Sequence, residues 1–275
     1  MSVASPGHDG PRFEYPHRLV CAGYSVMLSR YAPGMTMPRH AHEDTAVSIV
    51  FSGGMEEDAL RGRIDAEAGT LLVKPRGTAH ANRFGPCGAT ILSFSLPRGS
   101  GFGDAAAGWS AYRSFEAYRS GIDVLRVLRS GRLDALTGAV SDLLAAVSDA
   151  AEPMAAGSAP RWLKEVRAQL DVEPDGSRSV DEIARSLDLH PTYLARRFRA
   201  AFRCSVTEYR RRARLLAAAR LLSAGDCSLS RAAHEGGFAD HSHFCREVKR
   251  ELGLAPSSLR RLLAPALLEG GESLV

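Results

Sequence analysis

Four things are missing from this 275-residue chain, and each absence excludes something. No stretch approaches the roughly 20 uninterrupted apolar residues of a membrane-spanning helix, so no such helix is expected. The first 12 residues hold Pro, Gly, His and Asp but no apolar signal core, so a frayed start without secretion is expected. Cysteine is scarce: Cys21, Cys87, Cys204, Cys227 and Cys245 are odd in number and never spaced C-x-x-C. That argues against a disulfide framework or a zinc ribbon and suits a reducing cytoplasm. The compositional marks of disorder are also lacking, with 45% apolar and 24% charged residues. What is present is length enough for two ordinary cores.

Charge is uneven rather than large. The net charge is +4, but residues 177–264 hold 17 Lys and Arg against 9 Asp and Glu. The remainder holds 18 against 22. A basic C-terminal third on a near-neutral body is the footprint of a polyanion partner, nucleic acid first. A solvated basic face gives the same count.

Two structural grammars follow each other along the chain. Short apolar runs at 25–28, 47–51, 70–73 and 90–94 are separated by Pro and Gly turns such as Ala32-Pro33-Gly34, Gly53-Gly54 and Gly85-Pro86. Many short strands at this spacing predict a barrel or sandwich. From about Trp109 the period changes: Leu133, Leu136, Val140, Leu143 and Val147 form the 3-4-3-4 stripe of an amphipathic helix. The Ala-, Pro-, Gly- and Ser-rich stretch at 149–160 marks a linker.

The C-terminal third contains two helix-turn-helix-like units. The first opens with Ser179-Val180-Asp181-Glu182, a capping box, followed by an apolar face of Val180, Ile183, Ala184 and Leu187. Asp188-Leu189-His190 turns the chain, and Pro191 suits the first position of the next helix. Leu194, Phe198 and Phe202 carry that helix's buried face, while Thr192, Tyr193, Arg196, Arg197 and Arg199 point elsewhere. This is the logic of a helix-turn-helix. A spacer helix at 206–222 carries Arg210, Arg211, Arg212 and Arg214, read as a solvated face or a phosphate contact. The second unit runs from Ser228, turns at Gly236-Gly237-Phe238 and caps its second helix with Asp240. Phe244, Val248 and Leu252 bury that helix, His241, Ser242, His243 and Arg246 lie at its exposed end, and Gly253 stops it.

These residues resemble the AraC/XylS transcriptional regulators. The resemblance rests on Val180-Asp181-Glu182-Ile183-Ala184, Tyr193-Leu194-Ala195-Arg196-Arg197-Phe198, the run from Gly237 to Arg246, and Gly253-Leu254-Ala255-Pro256-Ser257, about 100 residues in all. Ala232, Gly236, Val248 and Leu259 depart from the family's usual side chains, which implies repacking in the second unit. The resemblance implies two recognition helices in successive major grooves. DNA-contacting residues would be Thr192, Tyr193, Arg196 and Arg197 in the first, and His241, Ser242 and Arg246 in the second. Arg can bind guanine O6 and N7 bidentately, whereas a phosphate contact would position without specifying. RNA polymerase and a second copy of the chain are further partners implied by the resemblance.

The N-terminal half carries Gly34 followed by His40-Ala41-His42, then Gly69, Pro75, Gly77 and His80 as G-x5-P-x-G-x2-H. This looks like the two cupin motifs. His40 and His42 alternate on an expected strand and so face one side, and His80 can join them from a neighbour. Three imidazoles would suit zinc or another divalent transition metal. The pattern's Glu position is Val47, and its Asn position is Phe84 with Asn82 nearby, so the expected set is three His plus water. The histidines could equally line an organic-ligand pocket.

The expected architecture is α+β in two domains, an N-terminal cupin-like β-barrel followed by helices and a C-terminal all-α head. The boundaries are a sensor barrel at 13–100, a helical packing or dimerisation segment at 104–150, a linker at 151–160 and a DNA-binding head at 161–264. The function expected is a cytoplasmic transcriptional regulator, an activator or a repressor, that binds promoter DNA and answers to a small-molecule or metal effector. It is not an enzyme on this reading, and no catalytic residue is assigned. The alternative is a three-His metal-dependent enzyme such as a dioxygenase.

Overall fold

In the computed structural model the described residues are 14–21, 24–59, 62–96, 109–155, 160–172, 178–223 and 227–263. Eight strands come first: β1 (Glu14–Cys21), β2 (Tyr24–Tyr31), β3 (Thr36–His40), β4 (Thr45–Ala59), β5 (Gly62–Glu67), β6 (Thr70–Lys74), β7 (His80–Leu96) and β8 (Ser110–Arg113). They form one antiparallel sheet ordered β1-β2-β7-β4-β6-β8, with β3 added to β7 and β5 to β4. The four apolar runs read from the sequence fall in β2, β4, β6 and β7.

The expected barrel is corrected here. Among the described residues the sheet is open, because β1 and β8 end its path and do not pair with each other. Alternation and turn spacing set strand direction and face. Closure depends instead on stagger and on which strands become partners, and neither is written locally. The two long strands bend rather than close. The first half of β4 pairs with β6 and its second half with β5, while β7 exchanges β3 for β2 along its length. The bend lies where β4 carries register shifts around Ser52 to Met55. Gly53 there has φ of 67°, and a Cβ would stand 1.9 Å from the Gly88 carbonyl oxygen, so no larger residue fits.

Nine described helices follow: α1 (Phe115–Ser130), α2 (Leu136–Ala155), α3 (Arg161–Val172), α4 (Val180–Ser186), α5 (Pro191–Phe202), α6 (Val206–Ser223), α7 (Leu229–Glu235), α8 (His241–Leu252) and α9 (Pro256–Leu263). Ser114 caps α1 and left-handed Gly131 ends it. The stretch expected as linker is helical through Ala155, and 156–159 lie outside the described residues. The capping box of Ser179 and Glu182, Pro191 at the start of α5, the Asp240 cap and the left-handed Gly253 all stand as the sequence reads.

Apolar packing does not follow the domain boundaries. Val47, Ile49 and Phe51 of β4 share a continuous cluster with α1, α2, the later half of α6 and helices α7 to α9. Leu136, Val140, Leu143 and Val147 are buried in that same cluster, so this face of α2 is used within the chain and is not a dimer surface. Val50, Leu72, Phe84 and Ile91 form a second cluster on the sheet. A third, formed by Leu163 and Val166 of α3, Ile183 of α4, Leu194 and Phe198 of α5 and Val206 of α6, lies under the first helix-turn-helix unit and is separate from the other two.

Candidate functional site

His40, His42 and His80 converge. Their ring centroids are 4.3 to 5.1 Å apart, and one ligating atom from each lies within 4.8 Å of the others. Strand pairing produces part of this, since His40 lies opposite His80 across β3 and β7. The expectation that His40 and His42 alternate on one strand is corrected: β3 ends at His40 and His42 lies in the loop beyond. The His42 carbonyl accepts the Gly77 N–H at 2.9 Å, which ties that loop to the turn before His80.

Two of the three histidines are oriented as ligating imidazoles usually are. His40 Nδ1 lies 2.9 Å from the Pro38 carbonyl oxygen, and His80 Nδ1 lies 3.0 Å from that of Thr78. A carbonyl only accepts, so each Nδ1 donates and Nε2 is the ring nitrogen left for a ligand, the usual orientation of a ligating imidazole. Burial, then the Lys74 charge, pull the His42 pKa down to about 4 and also lower that of His80. Both rings are therefore neutral at pH 7, the ligand form. A tetrahedral ion with bonds of about 2.0–2.1 Å needs donors roughly 3.3 Å apart, so modest side-chain rotation closes the set. The donors fit a zinc-class ion and leave coordination positions open.

The carboxylate missing at Val47 has a counterpart that sequence reading overlooked. Val47 is fully buried core. Glu57 of β4 is also fully buried, and three donors hold it: Lys74 Nζ at 3.2 Å, Asn82 Nδ2 at 2.9 Å and Trp109 Nε1 at 2.6 Å. Burial pushes its pKa up, but Lys74, Trp109, His80 and Asn82 together hold the carboxyl below its usual range. The available signal was parity. Met55, Glu57 and Ala59 alternate inward on β4, so Glu57 occupies an apolar position on its strand. Phe84 stacks on Tyr31 with centroids 4.0 Å apart and takes no polar role.

The second candidate surface is on the head. Thr192, Tyr193 and Arg196 of α5 and His241, Ser242 and Arg246 of α8 are exposed, whereas Arg197 is half-buried. The Arg196 guanidinium sits 5.6 Å from the Tyr193 ring centroid. These side chains lie at or near the starts of the two helices, where a recognition helix meets base edges.

The arginine run of α6 is a fastening rather than a solvated face. Arg211 pairs with Glu247 and Glu251 of α8, and Arg212 with Glu116 of α1 at 2.7 Å. Arg210 donates to the Arg178 carbonyl. Arg220 reaches Glu67 of β5, and Arg113 at the end of β8 pairs with Asp171 of α3 at 3.2 Å. Gly69, with φ of 86°, sits against Leu216 so closely that a Cβ would lie 2.6 Å from that side chain. The sheet thus touches the head directly. In the second unit Ala232 and Val248 are fully buried and a Cβ on Gly236 would meet the Ala232 carbonyl oxygen at 2.8 Å, so the small residues there permit close packing.

Comparison with known proteins agrees with this division. A helix-turn-helix domain family matches residues 183–262, and the ChrR cupin-like domain family matches residues 18–97. An uncharacterized HTH-type transcriptional regulator of Escherichia coli K12, YijO, is 28% identical over 104 residues, 38% of this chain. The chain spans 37% of that relative's length. ToxT from Vibrio cholerae O395 is 11% identical over 87% of this chain and 98% of its own, with a TM-score of 0.38. The C-terminal domain of AraT from Geobacillus stearothermophilus is 19% identical over 42% of this chain and 96% of its own, with a TM-score of 0.37. No described helix is long and apolar enough to cross a membrane. The chain joins an N-terminal cupin-like domain to a C-terminal helix-turn-helix domain.

Proposed function

We propose that this chain is a transcriptional regulator of the AraC/XylS type that reads promoter DNA with α5 and α8. The observation that carries the proposal is the pair of capped helices with exposed polar and Arg side chains, both in the matched domain. Thr192, Tyr193, Arg196, His241, Ser242 and Arg246 face DNA in this reading, and half-buried Arg197 contributes to phosphate positioning. The domain at 161–264 is the head, 13–100 the sensor and 104–150 the segment that packs them together. The effector is a divalent transition-metal ion, zinc class, held by His40, His42 and His80. RNA polymerase is the partner on the promoter. Chelator-treated and zinc-loaded full-length protein should differ in affinity for sites selected from random duplex DNA, and affinity should fall steeply with salt. No duplex binding at low salt would overturn the proposal.

A second reading rests on the open positions left by the three imidazoles, which suit an oxygen-dependent metalloenzyme. Oxygen uptake by the iron-loaded protein with candidate substrates would favour it over the regulator.

A further inference from the structure

Glu57 is the one buried carboxylate on the sheet among the described residues, and its surroundings have a use that a structural ion pair does not explain. On β7, His80 and Asn82 are two apart and share a face. Asn82 lies opposite Glu57 and His80 opposite Ala59, so Glu57 and His80 are diagonal neighbours on adjacent strands. Diagonal pairs stand about 7–8 Å apart at the backbone, within reach of long side chains.

An ion held by three neutral imidazoles would keep its full double charge, with the Lys74 ammonium close by. His80 and Glu57 lie on the buried side of the site, where such a charge would attract the available anion. Resting on the metal reading above, we propose that Glu57 is a switchable fourth donor, drawn onto the bound ion and thereby released from Trp109. The position is unlike that expected from the motif, being ten residues beyond Val47 and on the far half of a bent strand. Before the ion arrives, Trp109 occupies Oε1 while Lys74 and Asn82 share Oε2. Turning Oε1 to the ion would exchange the Trp109 hydrogen bond for a metal–oxygen bond and leave Lys74 and Asn82 on Oε2. The indole is the donor that conveys the change. Trp109 directly precedes β8, and Arg113, the last residue of β8, pairs with Asp171 on the head.

The chain has two tryptophans, so Trp162→Phe leaves Trp109 as the sole indole reporter. Chelator-stripped full-length protein in that background is titrated with zinc alone. The expected result is a Trp109 emission change saturating at one zinc per chain. Glu57→Gln retains an oxygen that accepts from the indole but is a poor metal ligand. It should abolish the emission change and weaken zinc binding about 10- to 100-fold. Trp109→Phe, read by competition with a chromophoric chelator, should tighten zinc binding about fivefold by removing one competing hydrogen bond. That variant decides the matter if Glu57→Gln fails to fold, and unchanged or weaker binding in it overturns the proposal. One zinc per chain with unchanged Trp109 emission and full affinity in Glu57→Gln also overturns it while leaving the histidine site intact. No zinc retained by the parent overturns the metal reading itself, and the switch with it.

Discussion

The first helix-turn-helix unit packs on a cluster of its own, in which Phe198 is fully buried beside Phe202 and Tyr209. The second has no private core: Phe244, Val248 and Leu252 are continuous with α1, α2 and the sheet. Helix α6 bridges the two, with Val206 in the cluster under the first unit and Leu215 to Leu222 in the one the second unit shares with the sheet. Between α1, α2 and the first unit lies a cavity of about 1130 Å³, spanned by polar links such as Arg113–Asp171 and Glu116–Arg212. Two units of similar sequence grammar therefore stand in different mechanical positions. One is fused to the N-terminal domain by close packing, the other is separated from it by a cavity crossed by ion pairs. In a regulator of the proposed kind, a signal from the N-terminal domain would have most freedom to act on the first unit, because ion pairs across a cavity rearrange at lower cost than a packed core.

The largest expected effects test the separateness of the cores. Phe198→Ala should cost about 3–5 kcal/mol and Phe244→Ala a similar amount. Hydrogen exchange should show the first loosening α3 to α5 alone and the second loosening α1 and α2 as well. Deprotection of α1 by Phe198→Ala to the same degree would break the comparison.

Next come Arg196 and Arg246, the arginines proposed to face DNA. Arg196→Ala and Arg246→Ala should each cost roughly 1–3 kcal/mol at a selected site and relax preference at one or two base pairs. Arg211→Ala should instead weaken all sequences alike, because it unfastens Glu247 and Glu251 on α8 rather than a base contact. Selected-site sequencing separates these outcomes, and the same uniform loss in all three variants would reject the recognition assignment.

A smaller effect sharpens the polar boundary. A double-mutant cycle on Arg113→Ala and Asp171→Asn should give a coupling of about 1 kcal/mol in stability, as expected of a partly exposed pair. The same variants should reduce the influence of zinc on DNA binding while leaving zinc affinity unchanged.

The smallest effect is one the two units share. The Ser179 backbone N–H holds Glu182 below the usual carboxylate range, and the His243 N–H does the same for Asp240. A carboxyl depressed in the folded state contributes stability above its unfolded pKa, about 4 for these groups, and loses it as pH falls through the folded value. Acid should therefore lower the melting temperature of both units. Asp240→Ala should flatten that dependence for the second, measured by calorimetry from pH 5 to pH 3.

Caps, turns and faces were legible because each is a local matter. Ser179 and Glu182 need only one another, Pro191 and Gly253 only their own backbone, and the apolar positions of α5 and α8 only a helical period. The histidine trio was legible from its spacing, although His42 reaches the site from a loop rather than the strand. Glu57 was not, since its partners Lys74, Asn82 and Trp109 lie 17, 25 and 52 residues away. The α6 arginines were misread for the same reason, because a basic helix looks solvated until Glu116, Glu247 and Glu251 are brought against it.

The sequence by itself determined the helix caps and boundaries in the C-terminal third, the strand character of the N-terminal half and the exposed polar residues at the starts of α5 and α8. Period, capping and φ preference act within a few residues. Only the tertiary structure decided that the sheet stays open, that the α2 stripe is covered within the chain and that the second head unit shares the sensor's core. Those outcomes depend on which distant surfaces meet, and a hydrophobic face specifies that it must be buried without specifying against what.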